Sequence, residues 1–135
     1  EGRIGMVIDG TGKEYDKIRS QKADLEALGY DTHMIFVNTS IEVALERNAA
    51  RERTVPEDVA INSWNAVQGN IGKFSSLFRG TMIIVDNNKK DDDIEKMTFK
   101  EVKRLLGKKV RNTRAKQWIE MEMKRRGITR APKGF

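Results

Sequence analysis

Met6-Val7-Ile8-Asp9-Gly10-Thr11-Gly12-Lys13 decides how this chain reads. A short apolar run ends in an acidic residue, then a glycine-punctuated turn, then a base. A strand of an open parallel sheet brings a carboxylate in this way to the crevice at its carboxyl end, where ligands bind. Residues 4–8 therefore read as a buried strand, with Gly10 and Gly12 marking its end. Only three residues precede Ile4. Any phosphate-cradling loop belonging to the same sheet is expected to lie outside this segment.

The alternation continues downstream. Residues 14–28 place Tyr15, Ile18, Leu25 and Leu28 near one helical face, with Gly29 as the stop. Met34-Ile35-Phe36-Val37 is a continuous apolar run, expected as a strand covered on both faces. From Ser40, apolar Ile41, Ala44 and Leu45 recur at helical spacing. Thr54-Val55-Pro56-Glu57 has the composition of a capping box with an early proline. It opens a long amphipathic helix through Val59, Ile61, Trp64, Val67, Ile71, Phe74 and Phe78. Residues 81–85 form a third apolar run, closed by Asp86-Asn87-Asn88. Strands alternating with helices predict βαβ units and a mostly parallel sheet of three strands.

The remainder reads as an appendage. Asp91-Asp92-Asp93 is a polar break, and Thr98-x-x-Glu101 suggests a second capping box on a helix reaching about Leu106. A last helix from about Arg114 to Arg126 is expected to bury Ala115, Trp118, Ile119 and Met123, with residues 128–135 frayed. The chain thus divides into a core, 1–90, and a basic helical extension, 91–135.

At 135 residues the length suits one domain with a real core. The absence of cysteine excludes disulfides and thiolate metal sites and fits a reducing cytoplasm. No apolar stretch approaches a membrane span or a signal peptide. Charge is uneven: residues 1–95 hold 12 Lys/Arg against 17 Asp/Glu, and residues 96–135 hold 14 against 3. The basic end suits an anionic partner, while Lys and Arg equally suit ordinary solvated helices.

Gly10-Thr11-Gly12-Lys13 is not a Walker A loop. The first glycine of G-x-x-x-x-G-K-[ST] would fall on Val7, and Glu14 follows the lysine. The free amides and the Mg²⁺-binding hydroxyl of that loop are both wanting. His33 has no second histidine or nucleophile nearby in sequence, and residues 91–93 lack the spaced ligands of a calcium loop.

The whole order of motifs resembles the middle and C-terminal half of the adenylate kinase-like P-loop kinases. Asp9-Gly10-Thr11-Gly12-Lys13 is similar to that family's Asp-Gly-x-Pro-Arg, with Gly for Pro and Lys for Arg. Arg47-Asn48-Ala49-Ala50-Arg51-Glu52-Arg53 resembles its lid arginines, and Asp86-Asn87-Asn88 falls where its last core strand opens beside the adenine. Phe36-Val37-Asn38-Thr39-Ser40, Ala44-Leu45-Glu46-Arg47-Asn48 and Ser63-Trp64-Asn65 look most like the zeta-toxin-like and polynucleotide kinase-like group, including uncharacterised bacteriophage kinases. The resemblance spans roughly residues 4–88. It implies a partial three-layer α/β sandwich with a helical C-terminal extension, in which the first strand, the P-loop, the first helix and the second strand have no counterpart.

The resemblance also implies roles. Asp9 would hold the hydration shell of Mg²⁺ or orient an acceptor hydroxyl; the plain alternative is an Asp capping the turn. Lys13 would touch a phosphate as a point charge, or simply be solvated. Arg47 and Arg51, four apart and so on one side of a helix, would close over the phosphates of ATP, the alternative being a surface ladder with Glu46 and Glu52. Asn87 and Asn88 would meet a purine edge, though a turn after a strand suits them equally. The implied activity is transfer of the γ-phosphate of ATP to a hydroxyl or phosphate acceptor, with the chain inactive alone and completed by a P-loop segment on the same or another polypeptide. The alternative is a degenerate kinase half that binds nucleic acid or an acidic protein through its basic helices. Self-association over exposed sheet edges is a third expectation.

Overall fold

The computed structural model describes residues 4–89 and 92–130. Its elements run α1 (Tyr15–Leu28), β1 (Met34–Asn38), α2 (Ile41–Ala49), α3 (Glu57–Leu77), β2 (Met82–Asp86), α4 (Asp92–Leu106) and α5 (Thr113–Arg125). β1 and β2 pair in parallel, in register from Met34 opposite Met82 to Asn38 opposite Asp86. The α2–α3 crossover between them satisfies the long return that parallel pairing requires.

Side chains alternate along β1, and Phe36 alone of the strand is buried. Phe36, Phe74 and Phe78 form the core under the sheet, and Tyr15, Ile18, Val67 and Ile71 pack around them. Phe74 is fully enclosed, its ring centroid 5.6 Å from that of Tyr15 and 6.4 Å from that of Phe36. On the other side of β1, Ile35 and Val37 stay exposed at 42% and 57%. The expectation of a strand covered on both faces is therefore overturned: helices α1 and α3 cover one.

Residues 4–8 do not form the expected third strand. They carry no regular structure, and Ile4, Met6, Val7 and Ile8 are all exposed. A strand exists through its ladder, and among the described residues no ladder reaches this run. Among the described residues, the Tyr30 hydroxyl tethers it by donating to the Ile4 carbonyl at 3.2 Å. Among the described residues the fold is α/β with a two-stranded parallel sheet, compatible with part of a kinase-like fold, and the expected third strand is not formed.

Helix ends explain other departures. α1 stops at Gly29, left-handed at φ 106°, with Gly29 and Tyr30 amides bonded back to Glu26 and Leu25. α3 starts behind Pro56 with no side-chain cap, so Thr54 does not close a capping box. The Asn48 side chain instead brackets Val55, donating to its carbonyl at 2.8 Å and accepting its N–H at 3.1 Å. α4 already begins at Asp92, which places Thr98 inside the helix and turns Asp92 and Asp93 from a break into its first turn. Asp91 and residues 131–135, for which a break and fraying were expected, lie outside the described residues.

The C-terminal helices are fastened to the end of α1. Asn112 caps α5 by accepting from Ala115 N at 3.2 Å, and its amide donates to the carbonyls of Glu26 and Tyr30 at 2.8 and 3.2 Å. Arg114 donates to Ala27 O at 2.8 Å, and Arg111 N to Asp31 Oδ2 at 2.7 Å. Ala115, Trp118, Ile119 and Met123 of α5 are half-buried, the face read from their spacing. No helix among the described residues is long and apolar enough to cross a membrane.

Candidate functional site

Both strands end on the same edge, at Asn38 and Asp86, and their polar exits are knitted together there. Asn87 N donates to Asn38 O at 2.8 Å, and the Asn38 side chain accepts from Gln68 Nε2 at 2.8 Å. Trp64 Nε1 donates to Thr39 O at 2.9 Å, fixing the turn from β1 into α2. Ser40 then caps α2, its hydroxyl accepting from Val43 N at 3.3 Å. Glu42 in this first turn is held below the usual carboxylate range by its own backbone N–H and by the Ser40 hydroxyl.

Asn88 joins the two exits. Its side-chain oxygen accepts from Ser40 N at 2.6 Å, while its backbone N–H and amide both donate to Asp86 Oδ1, at 3.0 and 2.6 Å. That side chain is occupied in shaping the edge. The Asn87 side chain has no partner among the described residues.

Lys13 reaches this edge through α3. Its ammonium lies 3.5 Å from Ser63 Oγ, one residue before the tryptophan that holds Thr39. The loop carrying it is positioned by Asn70, a residue that sequence reasoning missed. Asn70 is the one buried polar residue among those described, 7% exposed, and its amide donates to Gly12 O at 3.1 Å and Lys13 O at 2.9 Å. Gly12 sits at φ 72°, a conformation glycine adopts without cost. Asp9, in the segment before this loop, is exposed and has no partner among the described residues.

The two arginines are separated by local structure. Arg47 is half-buried in the last turn of α2, but that helix ends at Ala49, and Arg51 lies beyond it in an exposed bend. The expectation that both project from one side of one helix is overturned. The amide bracket between Asn48 and Val55 turns the chain before a further helical residue can form. Neither arginine has an ion pair with Glu46 or Glu52, so the surface ladder is not formed either. The edge thus joins Lys13, Ser63, Gln68, Asn38 and Asp86 to the start of α2, while Asp9 lies on the exposed segment before Lys13 and Arg51 beyond the other end of α2.

Such an arrangement offers polar side chains and the Lys13 cation at the carboxyl end of parallel strands, the usual place for phosphate-bearing ligands. Among the described residues, no group of three or more His, Cys, Asp or Glu side chains could hold a metal ion. Comparison with curated proteins and with solved structures yields no match. The family model described as Zeta toxin matches residues 1–98, well over half of the chain. By that match, and with its parallel strands and α2–α3 crossover, the chain belongs to the Zeta toxin family.

Proposed function

We propose that this chain is part of an ATP-dependent phosphotransferase acting on a hydroxyl or phosphate acceptor. Family membership suggests a kinase-like P-loop domain, and such kinases generally use ATP with Mg²⁺. The observation that carries the reading is the shared strand edge. Asn38 and Asp86 end together there, and Asn70 holds the Lys13 loop on the same helix that anchors Thr39.

The residues present fit part of the nucleotide machinery. Mg²⁺ would supply charge neutralisation for the transferred phosphoryl group. Asp9 fits contact with it through a bound water, since no direct ligand cluster exists among the described residues. Lys13 would meet a phosphate as a mobile point charge. Arg47 and Arg51 would approach from separate segments, Arg51 carried by the exposed bend, which suits a closing lid better than a rigid clamp. Asn87 is left for a base edge, with Asn88 setting its position.

No G-x-x-x-x-G-K-[ST] loop occurs in residues 1–135. The proposal therefore assigns the phosphate cradle to a further segment, in the same or another polypeptide. Transfer of radiolabelled γ-phosphate tests this directly. Residues 1–135 alone should be inert, and supplying a Walker A segment in cis or in trans should restore turnover that Asp9→Ala lowers about a hundredfold. Turnover by residues 1–135 alone, abolished by Asp9→Ala, would refute the division of labour. The alternative, a binding module for nucleic acid, predicts steeply salt-dependent retention of DNA with no turnover in any combination.

A further inference from the structure

A polar cavity lies at the opposite edge of the sheet from the strand exits, where the chain enters β1 and β2. Met34 N donates to Thr81 O there at 2.9 Å. The cavity is half-open, about 450 Å³, and is walled by α1, the loops before both strands and the α4–α5 connection. That volume is within the roughly 300–1,000 Å³ of small-ligand sites. Its lining is unlike most of them, because Leu77 is its one apolar residue. An aromatic base or an acyl group would find almost nothing to pack against.

Five cations line the cavity, Lys22, Arg79, Lys108, Lys109 and Arg111, against two carboxylates, Glu26 and Asp31. Both carboxylates are already committed. Glu26 Oε1 is bonded by Lys22 Nζ and accepts from Thr32 Oγ1 at 2.8 Å, and Asp31 accepts the Arg111 N–H. Burial pushes the Glu26 carboxyl up, but these bonds and the charge of Lys22 outweigh it and hold the group below its ordinary value. Lys108 Nζ donates to Gly80 O at 3.0 Å. Among the described residues nothing engages the side chains of Arg79, Lys109 and Arg111. They converge from two separate connections, and the start of the 13-residue helix α5, at Thr113, adds its positive end to the same wall.

We propose that this cavity binds a compact polyphosphate anion of the diphosphate-to-triphosphate class, either free or as the tail of a nucleotide. Unpaired cations gathered in a bounded polar recess repel one another until an anion arrives, and multiple phosphate oxygens match several donors at once. His33 lines the recess as well. Desolvation lowers its pKa first; Asp31 opposes this, and the charges of Lys108, Arg111 and Lys22 push it down further. Glu26, Arg79 and Lys109 complete the charged groups around it. A bound anion offsets those cations and raises the imidazole pKa. His33 should therefore favour binding increasingly as pH falls through its titration in the complex, levelling off below its pKa in the free protein, while protonation of the terminal phosphate at about pH 6 opposes it.

Calorimetric titration of residues 1–135 with sodium triphosphate, at low and high salt and across the histidine range, tests the proposal. Saturable single-site binding is expected, weakened by salt and about tenfold weaker in Arg79→Gln/Lys109→Gln. Both side chains are exposed and unpaired, so the double variant should keep the parent melting midpoint. His33→Gln should retain binding and lose the histidine's part of its pH dependence. ATP binding as tightly as triphosphate would identify the nucleotide tail as an equivalent source. The proposal is overturned by the absence of saturable binding at low salt, or by binding indifferent to the double substitution. ATP binding far more tightly than triphosphate, or an oligonucleotide that triphosphate cannot displace, would overturn it equally.

Discussion

Asn70 is where one side chain has the largest structural consequence. Its amide satisfies two carbonyls of the Gly12–Lys13 turn from inside the core. Asn70→Ala should cost about 1–3 kcal/mol, seen as a fall of several degrees in the thermal midpoint by circular dichroism. Asn70→Asp should be worse, since a carboxylate would face the same two acceptors. Gly12→Ala tests the turn from the other side. A Cβ there would meet Phe74, Val67 and Phe36 only at 3.8–3.9 Å, so the expected penalty of about 1–2 kcal/mol comes from φ 72° and not from crowding. D-alanine at the same position should restore the midpoint; failure to do so would transfer the cost to packing. On the surface of α5, hydrogen bonds from Arg125 and then Arg126 lower the Glu122 pKa to about 2. A depressed carboxylate pKa contributes stability above its unfolded value of 4.5, and the contribution fades as pH falls toward 2. Exposure of both arginines keeps the effect small, so the carboxylate's own NMR titration is the decisive readout, and Arg125→Gln should move it back upward. None of the structural work of Asn70 was legible beforehand, because an asparagine at helical spacing reads as a solvated position until its carbonyl partners, 57 and 58 residues away, are known.

At the scale of elements, periodicity carried α1, β1, α3, β2 and α5, since each needs only its own pattern or a continuous apolar run. Pairing was not available from pattern. Residues 4–8 are as apolar as β2, yet stay out of the sheet because a strand requires a neighbour at ladder distance. The separation of Arg47 from Arg51 was hidden for a similar reason, as the end of α2 depends on a long-loop amide bracket rather than on a glycine or proline at the boundary. Asn48→Ala should release that bracket. Limited trypsin digestion should then cut after Arg51 or Arg53 faster than in the parent, with the midpoint of unfolding nearly unchanged. Equal cleavage rates would mean that the bend is held by α2 and α3 alone.

For the whole molecule, area sets the expectation. A folded chain of 15.4 kDa would expose roughly 7,200 Å², whereas this one exposes 10791 Å². The excess includes Val7, Ile35, Val37 and Ile84, apolar side chains that a larger assembly could cover. Sedimentation velocity should accordingly reveal concentration-dependent self-association, reduced by Val7→Lys/Val37→Lys; a monomer throughout would leave the apolar surface to a different chain. Helix α3 gives this open molecule a fixed length. Ser63 and Trp64 stand at the strand-exit edge and Leu77 lines the cation-rich recess, about 21 Å apart at a rise of about 1.5 Å per residue. A triphosphate chain is far shorter than that span. If both ends take ligands as proposed, the helix is the spacer that keeps them apart, and a triphosphate seated at one end does not reach the other.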